Sequence, residues 1–542
     1  MYVRDMLYFT QEKVGRKSKV NNLKNNKKKV FRMKEKSKIS GALRALLVSI
    51  LILVQFAFIF MLSLSMQLFT VYFYVILEIF SLIVILCLVN DDRSPSYKIA
   101  WISIVLLLPL SGHIMYALWG NETSNKKYNR NVLGELNKGF NYATNDPDAI
   151  IAFAEEYPEN VRISNYMSSS HFPLYDNNAI DYYAMGEDVF DAMIKDFENA
   201  QRFILVDFFI VAEGRLWDRI HSVLLSKIQQ GVKVLFMYDD FGAMFRTNKF
   251  FQEQLEDEGF EVKIFNPVHK YIDKLYMNFR SHQKIVVIDG IIGYTGGMNI
   301  ADEYANYIQR FGVWKDTAVR IKGNAVDGLI NTFLQMWNIS DGKGYYEYND
   351  FSVAKNENYG NTYCHVISDG PANNPDNPIE NVYRQMVYYS KEFLYITTPY
   401  LIIEDDMYNA IESAVKSGVD VRIITPKIPD KKMVKLLTNY NYGRLLKAGA
   451  RIYEYTPGFI HAKMIVNESS AIVGTINMDY RSFYLHYECG AWMCSKDVVY
   501  DVKNDILNTI KVSEEITYEE WKNRPLRTKI YQSFLSLFKT LV

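Results

Sequence analysis

The chain has 542 residues, with 61 basic and 61 acidic side chains, so formal charge is zero and bulk electrostatics point to no nucleic-acid partner. The length exceeds what one compact domain usually holds. The four cysteines, Cys87, Cys364, Cys489 and Cys494, form no CxxC pair and no metal-ligand spacing, which excludes a disulfide framework or structural zinc as the organising device.

Residues 1–40 form a tail whose first 38 positions are crowded with Lys and Arg. Such a block is solvated, and beside a membrane it is drawn to anionic lipid at about 1 kcal/mol per basic residue. Residues 41–120 read as a transmembrane region of two to three helices. From Ala45 to Leu88 the sequence is almost wholly apolar, ~65 Å of helix or about twice a hydrocarbon core. Two spans are expected, near 42–64 and 69–89, with a break around Ser65 to Gln67. Glu78 interrupts the second and has no local partner in sequence, which suits a protonated or headgroup-facing carboxyl. A third apolar run at 99–118 leads into Tyr and Trp of the kind that sit at a membrane interface. The apolar region is too long for a signal peptide and shows no cleavage site. The basic tail favours a cytoplasmic N-terminus, but Arg93 and Lys98 in the loop 90–98 are too few to fix the face of the remainder.

After residue 120 the pattern becomes α/β. FILVDFFIV at 203–211 reads as a buried strand, RLWDRIHSVLLSKIQQG as an amphipathic helix ending in Gly231, and VKVLFMYDD as a second strand. The same order returns from 393: FLYITTPYLII, then DDMYNAIESAVKSG ending in Gly418, then VDVRIITP. Glycine at both helix ends fits C-capping. EGFEVKIFNP is echoed by AGARIYEYTP, and each half then reaches a His-x-Lys segment, SHQKIVVIDG at 281–290 and IHAKMIVNES at 460–469. This is an internal duplication with a period of about 180 residues. The expected architecture is two similar α/β lobes, 121–345 and 346–542, packed with pseudo-twofold symmetry and preceded by the transmembrane helices. That packing would bring the two His-x-Lys strands to one cleft.

Alternation in a strand puts His282 and Lys284 on one face, and His461 and Lys463 likewise. Imidazole serves as nucleophile or proton donor, and lysine supplies positive charge and three donors. Small-residue turns follow, TGGMN ending at Asn299 and GTIN ending at Asn477, where backbone approaches a ligand closely and an amide adds a neutral donor. Two lysines and two asparagines around one point suit charge developing on phosphoryl oxygens. One histidine would attack phosphorus while the other protonates the leaving oxygen. Such a site needs neither metal nor cofactor, and no carboxylate cluster suited to a metal is evident in the sequence.

H-x-K-x-x-x-x-D with a Gly-rich turn and Asn resembles the signature of the phospholipase D superfamily. The first copy matches throughout: His282, Lys284, Asp289, Gly296 and Asn299. Flanking segments such as YTGGMNIADEY, VWKDTAVRIKGNAV, TTPYLI, YTPGFIHAK and GTINMDYRSF, with the membrane segment SPSYKIAWISIVLLLPLSGHIMYALWG, narrow the resemblance to bacterial cardiolipin synthases over roughly residues 70–542. The resemblance implies a multi-pass protein of the bacterial cell membrane whose partners are phosphatidylglycerol and cardiolipin. One phosphatidylglycerol would give its phosphatidyl group to a histidine, glycerol would leave, and a second would accept the group.

The motif set implied is His282, Lys284, Asp289, His461, Lys463 and Glu468, with the acid supporting the fold or orienting a lysine rather than transferring the proton. In the second copy Asn467 competes with Glu468 for the acidic position. Gln283 stands where the family usually has Arg and is expected to point away from the site. The family also implies a carboxylate that orients each histidine, and Asp316 and Glu488 match those positions. His282 is the favoured nucleophile, since its motif is complete. The first lobe carries about eleven extra residues before its histidine, within NPVHKYIDKLYMNFR, suited to a membrane interface or a plain surface loop. Two other readings stay open on the same motif: a phospholipase D-like hydrolase or phosphatidylserine synthase, and a non-enzymatic lipid-binding protein.

Overall fold

The computed structural model describes residues 46–47, 49–57, 60, 68–120, 126–268, 279–340, 342–373 and 376–541. The basic tail, most of the span at 42–64, the break at Ser65 to Gln67 and the segment 269–278 lie outside the described residues.

The strands in chain order are β1 (Leu174–Tyr183), β2 (Phe203–Phe208), β3 (Lys233–Asp239), β4 (Glu261–Phe265), β5 (Arg280–Ser281), β6 (Lys284–Ile288), β7 (Ile292–Gly296), β8 (Val313–Lys315), β9 (Ala318–Gly323), β10 (Thr362–Asp369), β11 (Phe393–Thr397), β12 (Leu401–Ile402), β13 (Asp420–Pro426), β14 (Arg451–Tyr455), β15 (Gly458–Ile460), β16 (Met464–Asn467), β17 (Ala471–Gly474), β18 (Met478–Asp479), β19 (His486–Cys494) and β20 (Ser513–Ile516). The main sheet runs β20-β14-β13-β11-β16-β17-β19-β10-β1-β9-β7-β6-β2-β3-β4, with β5 attached to β19. From β1 outward the order is β9, β7, β6, β2, β3, β4, and from β10 outward it is β19, β17, β16, β11, β13, β14. Pairing sense matches position by position: β2 is parallel to β3 and antiparallel to β6, as β11 is parallel to β13 and antiparallel to β16. The two runs join where β1 pairs antiparallel with β10, Leu174 opposite His365.

β2 and β11 are buried along their whole length because helices cover both faces. Leu205 and Ile285 from the first run and Met464 and Val473 from the second pack into one apolar cluster with Phe333 and Trp337 of helix Val326–Ile339 and Val502 of helix Lys496–Lys511. The alternate residues face the other way. Ile204 and Val206 pack against helices Gly186–Asn199 and Arg215–Gln229, and Leu394 and Ile396 against helices Pro378–Tyr389 and Asp405–Lys416. Gly231 and Gly418 end their helices as expected, at φ +90° and +95°. In each case the next residue donates back across the end, Val232 to Lys227 at 3.0 Å and Val419 to Ala414 at 3.1 Å, a Schellman closure that a Cβ would strain.

Helix Leu68–Val89 has 22 residues, ~33 Å, and is the one helix among the described residues long and apolar enough to cross a membrane. Glu78 lies exposed on it, with the Tyr74 hydroxyl one turn back as a partner that spacing alone did not reveal. The run at 99–118 is not one span. Its helix, Pro95–Leu107, starts at the Ser94 cap with Pro95 in the first turn and covers 13 residues, ~20 Å. Pro109 cannot continue it, and the chain goes on through the short helix Ser111–Met115 and a wider turn at Tyr116–Gly120. Leu88, Tyr97, Trp101 and Ile104 pack with Tyr480 and Phe538, which fixes this apolar region against the α/β body.

Candidate active site

Two short strands change sides. β5 pairs parallel with the start of β19, Arg280 opposite His486 and Ser281 opposite Tyr487. The His282 N–H then donates to the Tyr487 carbonyl at 2.8 Å. β15 pairs parallel with β8, Ile460 opposite Lys315, and the His461 N–H donates to the Lys315 carbonyl at 2.7 Å. Each histidine therefore follows a strand that hydrogen-bonds to the other half of the chain. His282 and His461 lie in the links before β6 and β16 rather than within a strand, and Lys463 Nζ lies 2.7 Å from His461 Nδ1. The chain leaves regular pairing there because it passes from one half's hydrogen bonds to the other's. Lys284 and Lys463 fold back, and their ammonium groups donate to the carbonyls of His282 and His461.

The same exchange delivers the carboxylates. His282 Nδ1 lies 2.9 Å from Glu488 Oε2, and His461 Nδ1 lies 2.6 Å from Asp316 Oδ2. Asp316 and Glu488 thus each contact an imidazole, that of the opposite half. Both carboxylates are fully buried. Their lengths are matched to the facing turn. A Cβ on Gly297 would come 2.0 Å from Asp316 Oδ1, so glycine leaves room for the shorter acid. In the second half Thr475 occupies that turn position and its hydroxyl donates to Glu488. With Nδ1 engaged in both rings, Nε2 is the reactive nitrogen.

Burial, then the nearby charges of Lys284, His486, Lys463 and His461, holds His282 well below the usual imidazole range. Burial and Lys463 lower His461 to about 4, with Asp316 pulling the other way. Burial lowers Lys284 to about 8 and Lys463 to about 7, and raises Glu488 to about 8. These mutual influences bring both His-Lys pairs into one electrostatic site. Its walls are aromatic: Phe209 lies 5.2 Å from the His282 ring, and Tyr304 and Trp314 lie 5.4 and 5.5 Å from the His461 ring.

The asparagines differ. Asn299 is engaged, accepting from the Ile210 N–H at 2.9 Å and donating to the Tyr304 hydroxyl at 2.9 Å. Asn477 is buried with its side-chain oxygen unpartnered among the described residues. Asp289 and Glu468 take the fold-supporting role. Asp289 accepts from the backbone N–H groups of Gln201, Arg202 and Phe203 at 2.8, 2.7 and 3.0 Å, tying down the start of β2. Glu468 accepts from Lys391 at 2.8 Å and Glu392 at 3.4 Å, just before β11. They hold equivalent strand entries, so Glu468 rather than Asn467 is the counterpart of Asp289. Asn467 instead shapes its own turn, accepting from the Ser469 and Ser470 N–H groups. Gln283 is buried, and its amide donates to the Glu488 carbonyl at 3.4 Å.

Sequence reasoning passed over His486, whose ring lies 5.4 Å from that of His282. It also passed over Asp207 and Asp239, which anchor β5 by accepting from Ser281 Oγ at 3.3 Å and the Ser281 N–H at 3.1 Å. His486 stands two residues before Glu488 and was legible only as its neighbour. His282, His486 and Glu488 place donor atoms within 4.8 Å of one another, the spacing of a metal site. The positive charges of Lys284 and Lys463 act on the same group and oppose a cation there.

A family model described as the PLD-like domain of cardiolipin synthase matches residues 383–510, and one described as phospholipase D-nuclease N-terminal matches residues 76–121. Cardiolipin synthase 1 of Staphylococcus aureus strain COL is 34% identical over 475 residues, covering 85% of this chain and 94% of its own length. Cardiolipin synthase of Geobacillus kaustophilus is 31% identical over 456 residues, covering 83% of this chain and 90% of its own. The crystal structure of phosphatidylserine synthase from Haemophilus influenzae has a TM-score of 0.55 and 16% identity, covering 70% of this chain and 99% of its own, a likeness of fold alone. Sequence, strand order and the histidine–lysine site agree: the chain belongs to the cardiolipin synthase family, with a phospholipase D-like α/β fold.

Proposed function

We propose that the protein is a membrane-bound cardiolipin synthase that joins two phosphatidylglycerol molecules through a phosphohistidine. His282 Nε2 attacks the phosphorus of the first lipid, the P–O bond to glycerol breaks, and His461 gives its proton to the departing oxygen. After glycerol leaves, a hydroxyl of the second phosphatidylglycerol returns a proton to His461 and attacks phosphorus. The P–N bond breaks and cardiolipin forms. Every bond exchanged is a phosphodiester or its phosphohistidine equivalent, so no nucleotide is needed. Lys284, Lys463 and the Asn477 amide stabilise the non-bridging oxygens, and Asn299 positions Tyr304 and the Ile210 backbone beside them. His282 is taken as the nucleophile because its motif is complete, with His461, whose protonated form the Asp316 carboxylate favours, as the proton donor.

The observation that carries this reading is the pair of crossed carboxylate–imidazole contacts, 2.9 and 2.6 Å, around one electrostatic site. They also argue against a non-enzymatic lipid binder, which has no use for two oriented imidazoles. The matching strand orders support two lobes, 121–345 and 346–542, related by a pseudo-twofold axis between β1 and β10. Membrane attachment in a bacterial cell is supported by helix Leu68–Val89 and by a second apolar surface. Leu526, Ile530, Phe534, Leu537 and Leu541 are exposed along the C-terminal segment, while Leu535 packs on Leu437 and Phe538 joins the cluster with Trp101. A stripe of this kind beside the span suits an interfacial helix.

The test is full-length protein in phosphatidylglycerol vesicles with labelled headgroup. Free glycerol and a four-chain lipid in equal amounts are expected, together with a phosphohistidine trapped in His461→Asn and absent in His282→Asn. Phosphatidic acid as the only lipid product would make the protein a hydrolase, and the absence of any product would remove the enzyme reading.

A further inference from the structure

The site contains a third imidazole that the reaction above leaves unused. His486 opens β19 opposite Arg280, and its ring lies 5.4 Å from His282 and 6.4 Å from Phe209. It is 8% exposed, yet its Nδ1 has no hydrogen-bond partner among the described residues. Glu488 Oε1 is 3.7 Å away, beyond hydrogen-bond length, and Glu488 is already committed to His282 and Thr475. A buried polar atom left unpaired is costly, and one that persists beside a reactive centre marks a place for a ligand atom. Burial and the surrounding cations Arg481, Lys284, Lys431 and Arg280 keep this ring uncharged. A neutral imidazole offers one donor and one acceptor, which complements an alcohol rather than a phosphate.

We propose that His486 selects the acceptor, its ring hydrogen-bonding the hydroxyl adjacent to the attacking one on the polyol headgroup of the incoming lipid, so that a vicinal diol displaces the phosphohistidine in preference to water. This rests on the synthase reading. His486 takes no proton from the reaction: the attacking hydroxyl gives its proton to His461, the P–O bond forms and the P–N bond breaks. The ring fixes the direction of attack by holding the neighbouring oxygen.

The experiment compares wild type, His486→Ala and His486→Asn in phosphatidylglycerol vesicles, reading the ratio of cardiolipin to phosphatidic acid. The ratio is expected to fall about five- to tenfold in His486→Ala, the size of one lost neutral hydrogen bond, and to recover in part in His486→Asn, whose amide keeps a donor and an acceptor. An unchanged ratio, whatever the total activity, overturns the proposal. A measurement on wild type alone needs no variant to fold. Propane-1,2-diol is expected to compete as acceptor about fivefold better than propan-1-ol, and equal use of the two overturns the proposal. Inactivation by EDTA with recovery on adding a divalent cation would assign His486 to a metal and would also overturn it. Wild type that makes no cardiolipin would sink the synthase reading itself, whereas cardiolipin made at a ratio insensitive to His486 sinks this inference alone.

Discussion

Glu488 holds His282 from 206 residues further along the chain, its Oε2 lying 2.9 Å from the imidazole Nδ1. The reciprocal contact, Asp316 to His461, spans 145 residues in the opposite sense. Neither His282 nor His461 is therefore oriented by an acid of its own half. The short strands β5 and β15 build this reciprocity, since each leaves its own half and pairs with the segment that carries the partner's acid. A carboxylate at Nδ1 fixes the tautomer and raises ring basicity, so the crossing sets the chemistry of both nitrogens that face phosphorus.

Replacing these acids should separate the two steps. Asp316→Asn removes the charge that favours protonated His461, so the pH above which this ring can no longer donate, the alkaline limb of the kcat–pH profile, should move to lower pH and kcat should fall about 10–100-fold. Glu488→Gln should instead slow phosphohistidine formation, read by single-turnover trapping. Equal effects of both variants on both steps would contradict the assignment of roles.

Asp289 and Glu468 should behave as fold residues. Asp289→Ala leaves three backbone N–H groups without their acceptor and should lower stability by about 1–3 kcal/mol in denaturant unfolding. Glu468→Ala should cost less, because one of its two contacts is 3.4 Å long. Asp289 has φ +54°, which asparagine tolerates, so Asp289→Asn should be milder than alanine. Activity per folded molecule should change less than threefold in all of them, and a larger loss would return these acids to the chemistry.

The lysines predict an alkaline limit. Their folded pKa values, about 8 for Lys284 and about 7 for Lys463, lie below the ordinary 10.5. As pH rises through this window the ammonium charges are lost and kcat/KM should fall about tenfold per unit. Bound phosphodiester favours the charged forms, so the limb in kcat should lie at higher pH than the limb in kcat/KM. A profile flat from pH 7 to 9 would contradict this.

Stability runs the other way. Above pH 7 the unfolded chain binds more protons than the folded one until the unfolded lysine pKa is reached, so the cost of burying these charges is greatest at low pH and eases as pH rises. Lys463→Met should abolish activity and raise Tm by a few degrees at pH 6–7, with a smaller gain at pH 9. A lowered Tm at both pH values would show that the ammonium contributes more to the fold than its burial costs.

Charge on the C-terminal stripe should loosen membrane seating without touching the site. The double change Ile530→Glu and Phe534→Glu alters two exposed side chains. Cardiolipin formation on vesicles should fall about tenfold while activity in mixed detergent micelles stays within twofold. Parallel loss in both media would contradict an interfacial role.

Much of the protein was readable from local pattern. Short apolar runs marked β2, β3, β11 and β13, and glycines at 231 and 418 marked the helix ends, because a buried strand and the left-handed cap are properties of a few adjacent residues. The third apolar run left the number of spans open, between two and three, because hydropathy does not register how completely Pro109 stops a helix.

The repeated His-x-Lys segments by themselves pointed to phosphoryl chemistry and to a repeated chain, since residue types and their recurrence are carried in the sequence. The tertiary structure alone decided which acid serves which ring, and that His486 stands beside His282 with a nitrogen unpaired among the described residues. Those relations depend on strand exchange between segments 145 to 206 residues apart, and no local propensity encodes the partner at such a distance.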